Sequence, residues 1–417
     1  MSFRYLCCPT KQIMANKRNA GVFFILVTIL FDCIGFGIII PIMPALIKEL
    51  TGATLSEASE YGGILLTAYS LMMFICSPIL GALSDKMGRR PVLLISLFGM
   101  AIDYFFLSFA HTITLLFAGR IIAGICGASI TTASAYIADV STPEKRAQNF
   151  GLIGAAFGLG FIIGPVIGGV FSQFGTRVPF MIACGLSLVN WLYGYFILPE
   201  SLKKENRRAF DWKRANPVGA LMQIKRYPAL IGLLASLLIL YIAAQSTQTV
   251  WSFYTQEKFG WNEKWVGYSL GFVGVTVAIV QGGLIRIIIP RFGQKKSIML
   301  GLCLYVLGFV LFAFASKGWM MFAIIVPYAL AGITGPAIQG IISTQVKPDE
   351  QGELQGIMTS FMSLASIIGP LLMSSLFAHF TNHHNNSLYF PGAPFMMGAV
   401  LTCVSIVICY QTLKKHH

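Results

Sequence analysis

The chain alternates between apolar stretches of about twenty residues and short polar interruptions, and it does so about twelve times. A helix rises about 1.5 Å per residue, so each stretch is long enough to cross a hydrocarbon core roughly 30 Å thick. The pattern predicts membrane helices over 20–44, 62–83, 91–110, 112–138, 149–171 and 178–198, then over 229–254, 265–289, 297–316, 318–346, 354–378 and 390–412. The expected fold class is an all-α integral membrane protein with twelve transmembrane helices, and no soluble domain is left over.

The pattern also repeats at an offset of 205 residues. "GALSDKMGRRPVLL" (81–94) finds a degenerate second copy in "IPRFGQKKSIML" (289–300), aligning Gly88 with Gly293 and Arg90 with Lys295. The same offset carries Gly164-Pro165 onto Gly369-Pro370, and Pro143-Glu144 and Gly151 onto Pro348-Asp349 and Gly356. Six helices separate the two copies, so the halves are parallel repeats, an architecture of transporters whose substrate site lies between the halves near the midplane. The expected division is a tail over 1–19, a first half over 20–198, a polar basic linker over 199–228, a second half over 229–412 and a short tail over 413–417.

Charge fixes the expected orientation. Of thirty Lys and Arg residues, only Lys48, Arg177, Lys258, Lys264 and Lys317 fall in the odd-numbered loops, whereas the even-numbered loops and the termini are basic. The side richer in Lys and Arg stays in the cytoplasm, so both termini are expected there and helix 1 is expected to act as its own insertion signal. The net charge of +14 is then a topology signal. A nucleic-acid partner is not expected, because no basic soluble domain exists to bind one. The nine cysteines sit singly in predicted helices, apart from Cys7 and Cys8, and His383, His384, His416 and His417 lie in polar ends, so neither disulfides nor a metal is expected.

Three motifs carry a family resemblance over essentially the whole chain. "GALSDKMGRRPV" (81–92), "GRIIAGICGA" (119–128) and "GLGFIIGPVIGG" (158–169) resemble the major facilitator superfamily, and within it the twelve-helix drug/proton antiporters. "TVWSFYTQEKFGWN" (249–262) and "PAIQG" (336–340) look like the tetracycline/proton exporters in particular. Where those exporters carry a histidine in helix 8 and an aspartate in helix 9, this sequence has Val277 and Tyr305. The resemblance implies a cytoplasmic latch of Gly81, Asp85, Gly88, Arg89 and Arg90, in which Asp85 meets the N-terminal end of helix 11 near Leu354. A carboxylate at a helix N-terminus gains about 0.3–1 kcal/mol, which gives that contact a physical basis. Arg89 and Arg90 are expected near Asp139 and Glu144. In the second copy Pro290 replaces the acid, so only the first copy is expected to switch. Gly160, Gly164, Pro165, Gly168 and Gly169 form the antiporter motif of helix 5, with small residues at the spacing that lets helices approach closely.

Ionisable groups at membrane depth cost about 2.5 kcal/mol or more, so each is a functional hypothesis. Asp32, Asp103 and Arg120 lie near mid-membrane in helices 1, 3 and 4 and form the expected proton-coupling set. The bland alternative is a structural pair of Asp103 with Arg120, but two acids and one base leave one carboxylate over. Burial favours the neutral form of a carboxyl and a nearby guanidinium its ionised form, so one of the two acids is poised to carry a proton. The substrate cavity is expected to use Tyr69, Gln245, Gln248, Thr249, Trp251 and Gln339, because unpaired amides are costly in lipid and belong beside water. Arg286, near Pro290 at a helix end, is expected to snorkel to the interface.

Together these readings predict a monomeric secondary transporter in a bacterial inner membrane. It would export a small amphipathic or drug-like molecule, tetracycline-like among the candidates, against inward proton flow. An importer of a small nutrient on the same fold is the alternative. No nucleophile-base-orienter set supports an enzyme. No phosphate-binding glycine loop supports ATP as the energy source, and no cofactor is expected beyond the gradient.

Overall fold

The computed structural model describes the backbone over residues 9–127, 129–141, 143–210, 230–346, 351–382 and 388–415, together with 212, 216, 219 and 227. The side chain of Glu144, expected beside Arg89 and Arg90, lies outside the described residues, as do Cys7, Cys8, His383, His384, His416, His417 and much of 211–229. Twelve described helices are long and apolar enough to span a membrane: α1 Gly21–Thr51, α2 Leu55–Met87, α3 Arg89–Phe109, α4 Ile113–Val140, α5 Asn149–Phe174 and α6 Val178–Ile197. The second six are α7 Ile231–Phe259, α8 Glu263–Phe292, α9 Gln294–Phe314, α10 Gly318–Thr344, α11 Leu354–Thr381 and α12 Ala393–Lys414. Helices satisfy their own backbone polar groups, which is why an apolar chain in lipid takes this form. Below, the near end is where α1 begins and α12 finishes, and the far end is the opposite one.

Most spans match the hydropathy pattern within a few residues, but α1 and α2 run longer at the far end. The helix passes Pro41 and Pro44 and continues to Thr51 because Leu46 and Ile47 are fully buried. α2 begins in the polar run "LSEASEY", where a capping box replaces hydrophobicity as the start signal. The Thr54 hydroxyl accepts from Glu57 N at 3.3 Å, and the Glu57 carboxylate accepts from Thr54 N at 2.9 Å.

The repeat is visible in the backbone. Gly88, between α2 and α3, and Gly293, between α8 and α9, both adopt positive φ (106° and 77°), and each N–H bonds back to the carbonyl four residues earlier. Only glycine takes such angles without strain. Gly164-Pro165 lies where α5 meets α1 of its own half and α8 of the other. Its repeat mate Gly369-Pro370 lies where α11 meets α7 and α2.

The two halves touch from the far end to mid-membrane. Ser56 and Ser59 of α2 donate to the carbonyls of Ala378 and Ser374 at 2.8 and 3.4 Å, Thr381 donates to the Ser56 hydroxyl at 3.1 Å, and Thr67 donates to Ile367 O at 3.1 Å. Ser252 of α7 donates to Ile40 O of α1 at 2.9 Å. Between α5 and α8, Gly169 faces Gly267, Val166 faces Gly271 and Ile162 faces Gly274. Nearer the other end, positions 151, 154 and 158 of α5, 282 and 283 of α8 and 81 of α2 have open space where a Cβ would stand. The described bonds and close glycine contacts between the halves therefore lie from the far end to mid-membrane, and no neighbour comes within 4 Å of these near-end positions.

Candidate functional site

Four helices of the first half bring one cluster together at mid-membrane. Arg120 of α4 is ion-paired with Asp103 of α3, at 4% and 0% side-chain exposure. One oxygen of Asp103 and Nε of Arg120 have no hydrogen-bond partner among the described residues. Gly119 permits the approach, since a Cβ there would come within 3.0 Å of Asp103 Oδ1. Tyr69 of α2 packs on α4 at Gly124 and Gly127, and the Tyr104 ring of α3 lies against Gly35 of α1 with its hydroxyl unpartnered among the described residues. Asp32 is half-buried on α1 and makes no ion pair or hydrogen bond among the described residues. Beside it the Phe36 ring packs against Tyr69 (6.0 Å) and Phe161 (5.8 Å), giving this wall an aromatic surface.

The second half offers neutral polar groups. Gln248 is exposed in the middle of α7, as a polar side chain beside water would be, and its Oε1 accepts from Gln245 Nε2 at 3.4 Å. Gln245 itself is largely buried and also reaches Ser366 Oγ of α11 at 3.5 Å. Thr247 and Tyr328 share a hydrogen bond of 2.9 Å, and Gln339 of α10 lies near the Tyr241 side chain of α7. Two expected cavity residues sit elsewhere. Trp251 is 2% exposed, donates to Ser269 Oγ at 2.9 Å and stacks edge-on against Phe312, so in this state it is a core contact between α7, α8 and α9. Thr249 is likewise buried, with its hydroxyl unpartnered among the described residues. Val277 packs on Val280, Ala329 and Ile333, while Tyr305 stacks on Phe309 and meets Tyr328 edge-on at 5.3 Å. Sequence reasoning missed Tyr104, Tyr241 and Tyr328, whose only signal was a hydroxyl inside an apolar run.

In the antiporter motif, Gly160, Gly164 and Gly168 press α5 onto α1, against Cys33, Ile34, Gly37 and Ile38, whereas Gly169 and the Pro165 carbonyl press onto α8. One stripe thus seals within a half and between halves. Arg286 is exposed near the end of α8, where an arginine reaches the interface.

At the near end Asp85 pairs with Arg89 one turn on (2.7 Å), and Arg89 also contacts Asp139 (3.2 Å) and Ser84 (2.5 Å). The Arg90 guanidinium donates to Tyr195 O at 2.7 Å. No described contact joins Asp85 to α11, and Leu354 is packed inside its own half. Asp85 thus keeps its partner within the first half while the near end is open.

Two six-helix repeats joined at one end, with a partly exposed carboxylate and a buried ion pair at membrane depth in the first, are the architecture of a secondary transporter. The sequence matches the family model described as Major Facilitator Superfamily over residues 25–291 and 285–417. It is 39% identical over 399 residues to "Tetracycline resistance protein, class C" of Escherichia coli, covering 96% of this chain and 98% of that one. It is 37% identical over 391 residues to the class E protein of the same organism, covering 94% of each. Among solved structures, the human organic anion transporter MFSD10 superposes with a TM-score of 0.68 at 23% identity, covering 94% of this chain and 99% of that one. The chain belongs to the Major Facilitator Superfamily, in the branch of the tetracycline resistance proteins. It is a multi-pass membrane transporter for a small molecule, and not an enzyme.

Proposed function

We propose that the protein is a monomeric proton-coupled antiporter that exports an amphipathic, tetracycline-like molecule by alternating access, needing no cofactor beyond the proton gradient. Its near end faces the cytoplasm of a bacterial inner membrane. The observation that carries this reading is Asp32: a half-buried carboxylate at membrane depth, with no ion pair or hydrogen bond among the described residues, one helical turn from Phe36 and its aromatic neighbours Tyr69 and Phe161. Such a group takes a proton when substrate leaves and gives it up when substrate arrives. Asp103 and Arg120 hold the neighbouring helices and adjust their pairing as the halves rock. The latch residues Gly81, Asp85, Gly88, Arg89 and Arg90 close the near end when Asp85 exchanges Arg89 for the start of α11. The identity to the tetracycline resistance proteins supports the drug class, and the phenol and amide groups of the second half supply hydrogen bonds to it.

The test is tetracycline movement in membrane vesicles carrying an imposed pH gradient. Inverted vesicles with an acidic lumen should accumulate tetracycline, and dissipating the gradient should release it. Accumulation only in right-side-out vesicles acidified outside would mark an importer and overturn the reading.

A further inference from the structure

Helix α3 begins without a cap of its own. Its N-cap is Gly88, which has no side chain to offer, so the first amides of α3 need an acceptor from elsewhere. That acceptor is Glu200, 111 residues after Arg89 and just past the end of α6. Its Oε1 accepts from Arg89 N at 2.9 Å and its Oε2 from Arg90 N at 3.2 Å, with the Arg207 guanidinium 4.0 Å away. The surrounding chain is held to the same place. Tyr136 donates to Pro199 O (3.0 Å), Ser201 to Asp139 (3.0 Å), and Arg208 N to the backbone carbonyl of Asp85 (3.1 Å). Residues 199–208 are thus laid across the loop between α2 and α3 and belong with the first half.

From this geometry we infer that Glu200 is a positioning residue for the near-end latch. The start of α3 carries partial positive charge and attracts a carboxylate. Three acids are close: Asp85 and Asp139, both on the Arg89 guanidinium, and Glu200 on the backbone amides. By filling the helix end, Glu200 leaves Asp85 39% exposed and free to change partners, while the Arg208 bond fixes the backbone from which Asp85 reaches. Without Glu200, Asp85 turns to α3, stays in its own half and closes the latch poorly. The transporter then lingers open at the near end.

The first arm of the test is independent of transport: hydrogen–deuterium exchange on the purified full-length protein, comparing Glu200→Ala, Glu200→Gln and, as control, the exposed linker variant Glu205→Ala. The expected result is at least tenfold faster exchange at the first turn of α3 in Glu200→Ala, an intermediate rate in Glu200→Gln, and no change in Glu205→Ala. Exchange over 151–158, which borders the open cleft, should also quicken in Glu200→Ala. Wild-type exchange at either segment overturns the inference. The second arm rests on the transport reading above and uses tetracycline uptake into inverted vesicles. Glu200→Ala should lower the maximal rate at least fivefold with the half-saturating concentration unchanged within twofold, and Glu200→Gln should recover part of it. An undiminished maximal rate beside accelerated exchange also overturns the positioning role. If the wild type moves no tetracycline, the drug reading falls and exchange alone decides on Glu200. Should Glu200→Ala fail to fold, Glu200→Gln carries both arms.

Discussion

Gly169 of α5 and Gly267 of α8 face each other across the boundary between the halves so closely that a Cβ on either would come within 3.1 Å of the other's Cα. Eleven residues along α5, Gly158 meets nothing within 4 Å of the equivalent point. One helix face is a sealed seam at the far end and an open wall at the near end.

That contrast separates two leucine variants. Gly169→Leu overfills the closed seam at a cost of about 1–3 kcal/mol, so it should lower the melting temperature in detergent and reduce transport at least tenfold. Gly158→Leu has room in this state and should melt with the wild type, yet slow transport by obstructing closure of the near end. Thermal unfolding and vesicle uptake on both variants check this.

Asp85→Asn removes a partly exposed ion pair, worth less than about 1 kcal/mol. Protein abundance and melting temperature should stay close to wild type while transport falls at least fivefold. Normal transport by a well-expressed Asp85→Asn protein would remove Asp85 from the latch.

Asp103→Asn leaves the Arg120 guanidinium buried without its counter-ion. Breaking such a pair from one side costs about 3–5 kcal/mol, whereas neutralising both partners costs far less. The single variant should lose thermal stability, and Asp103→Asn with Arg120→Gln should regain most of it. Gradient-driven transport restored in the double variant would make the pair structural alone, while transport still lost would give it a part in coupling.

On the second half, Tyr328→Phe deletes the hydroxyl shared with Thr247. A single neutral hydrogen bond is worth about 0.5–1.5 kcal/mol, or about two- to tenfold in affinity. The half-saturating concentration for tetracycline should rise by that factor with the maximal rate preserved, which initial-rate uptake will show.

Much of this molecule is legible in its sequence, and the reasons are physical. Lipid forces the backbone into helices long enough to span it, so apolar blocks marked α3 to α12 closely, and the 205-residue offset announced Gly88 and Gly293 as equivalent turns. What hydropathy cannot register is a helix that continues after its lipid-facing character ends. The start of α2 was hidden for that reason in "LSEASEY", where capping and cross-half hydroxyl contacts do the holding. Mid-helix Asp103 and Arg120 stood out by their charge, and their pairing followed from burial. Trp251 did not follow, because an indole inside a polar run reads equally well as cavity wall or core, and only the partner Ser269 decides. Glu200 was invisible as a partner of Arg89, since a contact across 111 residues leaves no local pattern.

The central claim is that the carboxylate of Asp32, unpaired among the described residues, carries the proton that drives export. The most direct measurement compares wild-type and Asp32→Asn protein in inverted vesicles by two assays on the same preparation: tetracycline accumulation driven by a pH gradient, and tetracycline exchange down its own gradient. The account predicts that Asp32→Asn loses accumulation entirely while retaining measurable exchange. Full gradient-driven accumulation by Asp32→Asn would contradict it.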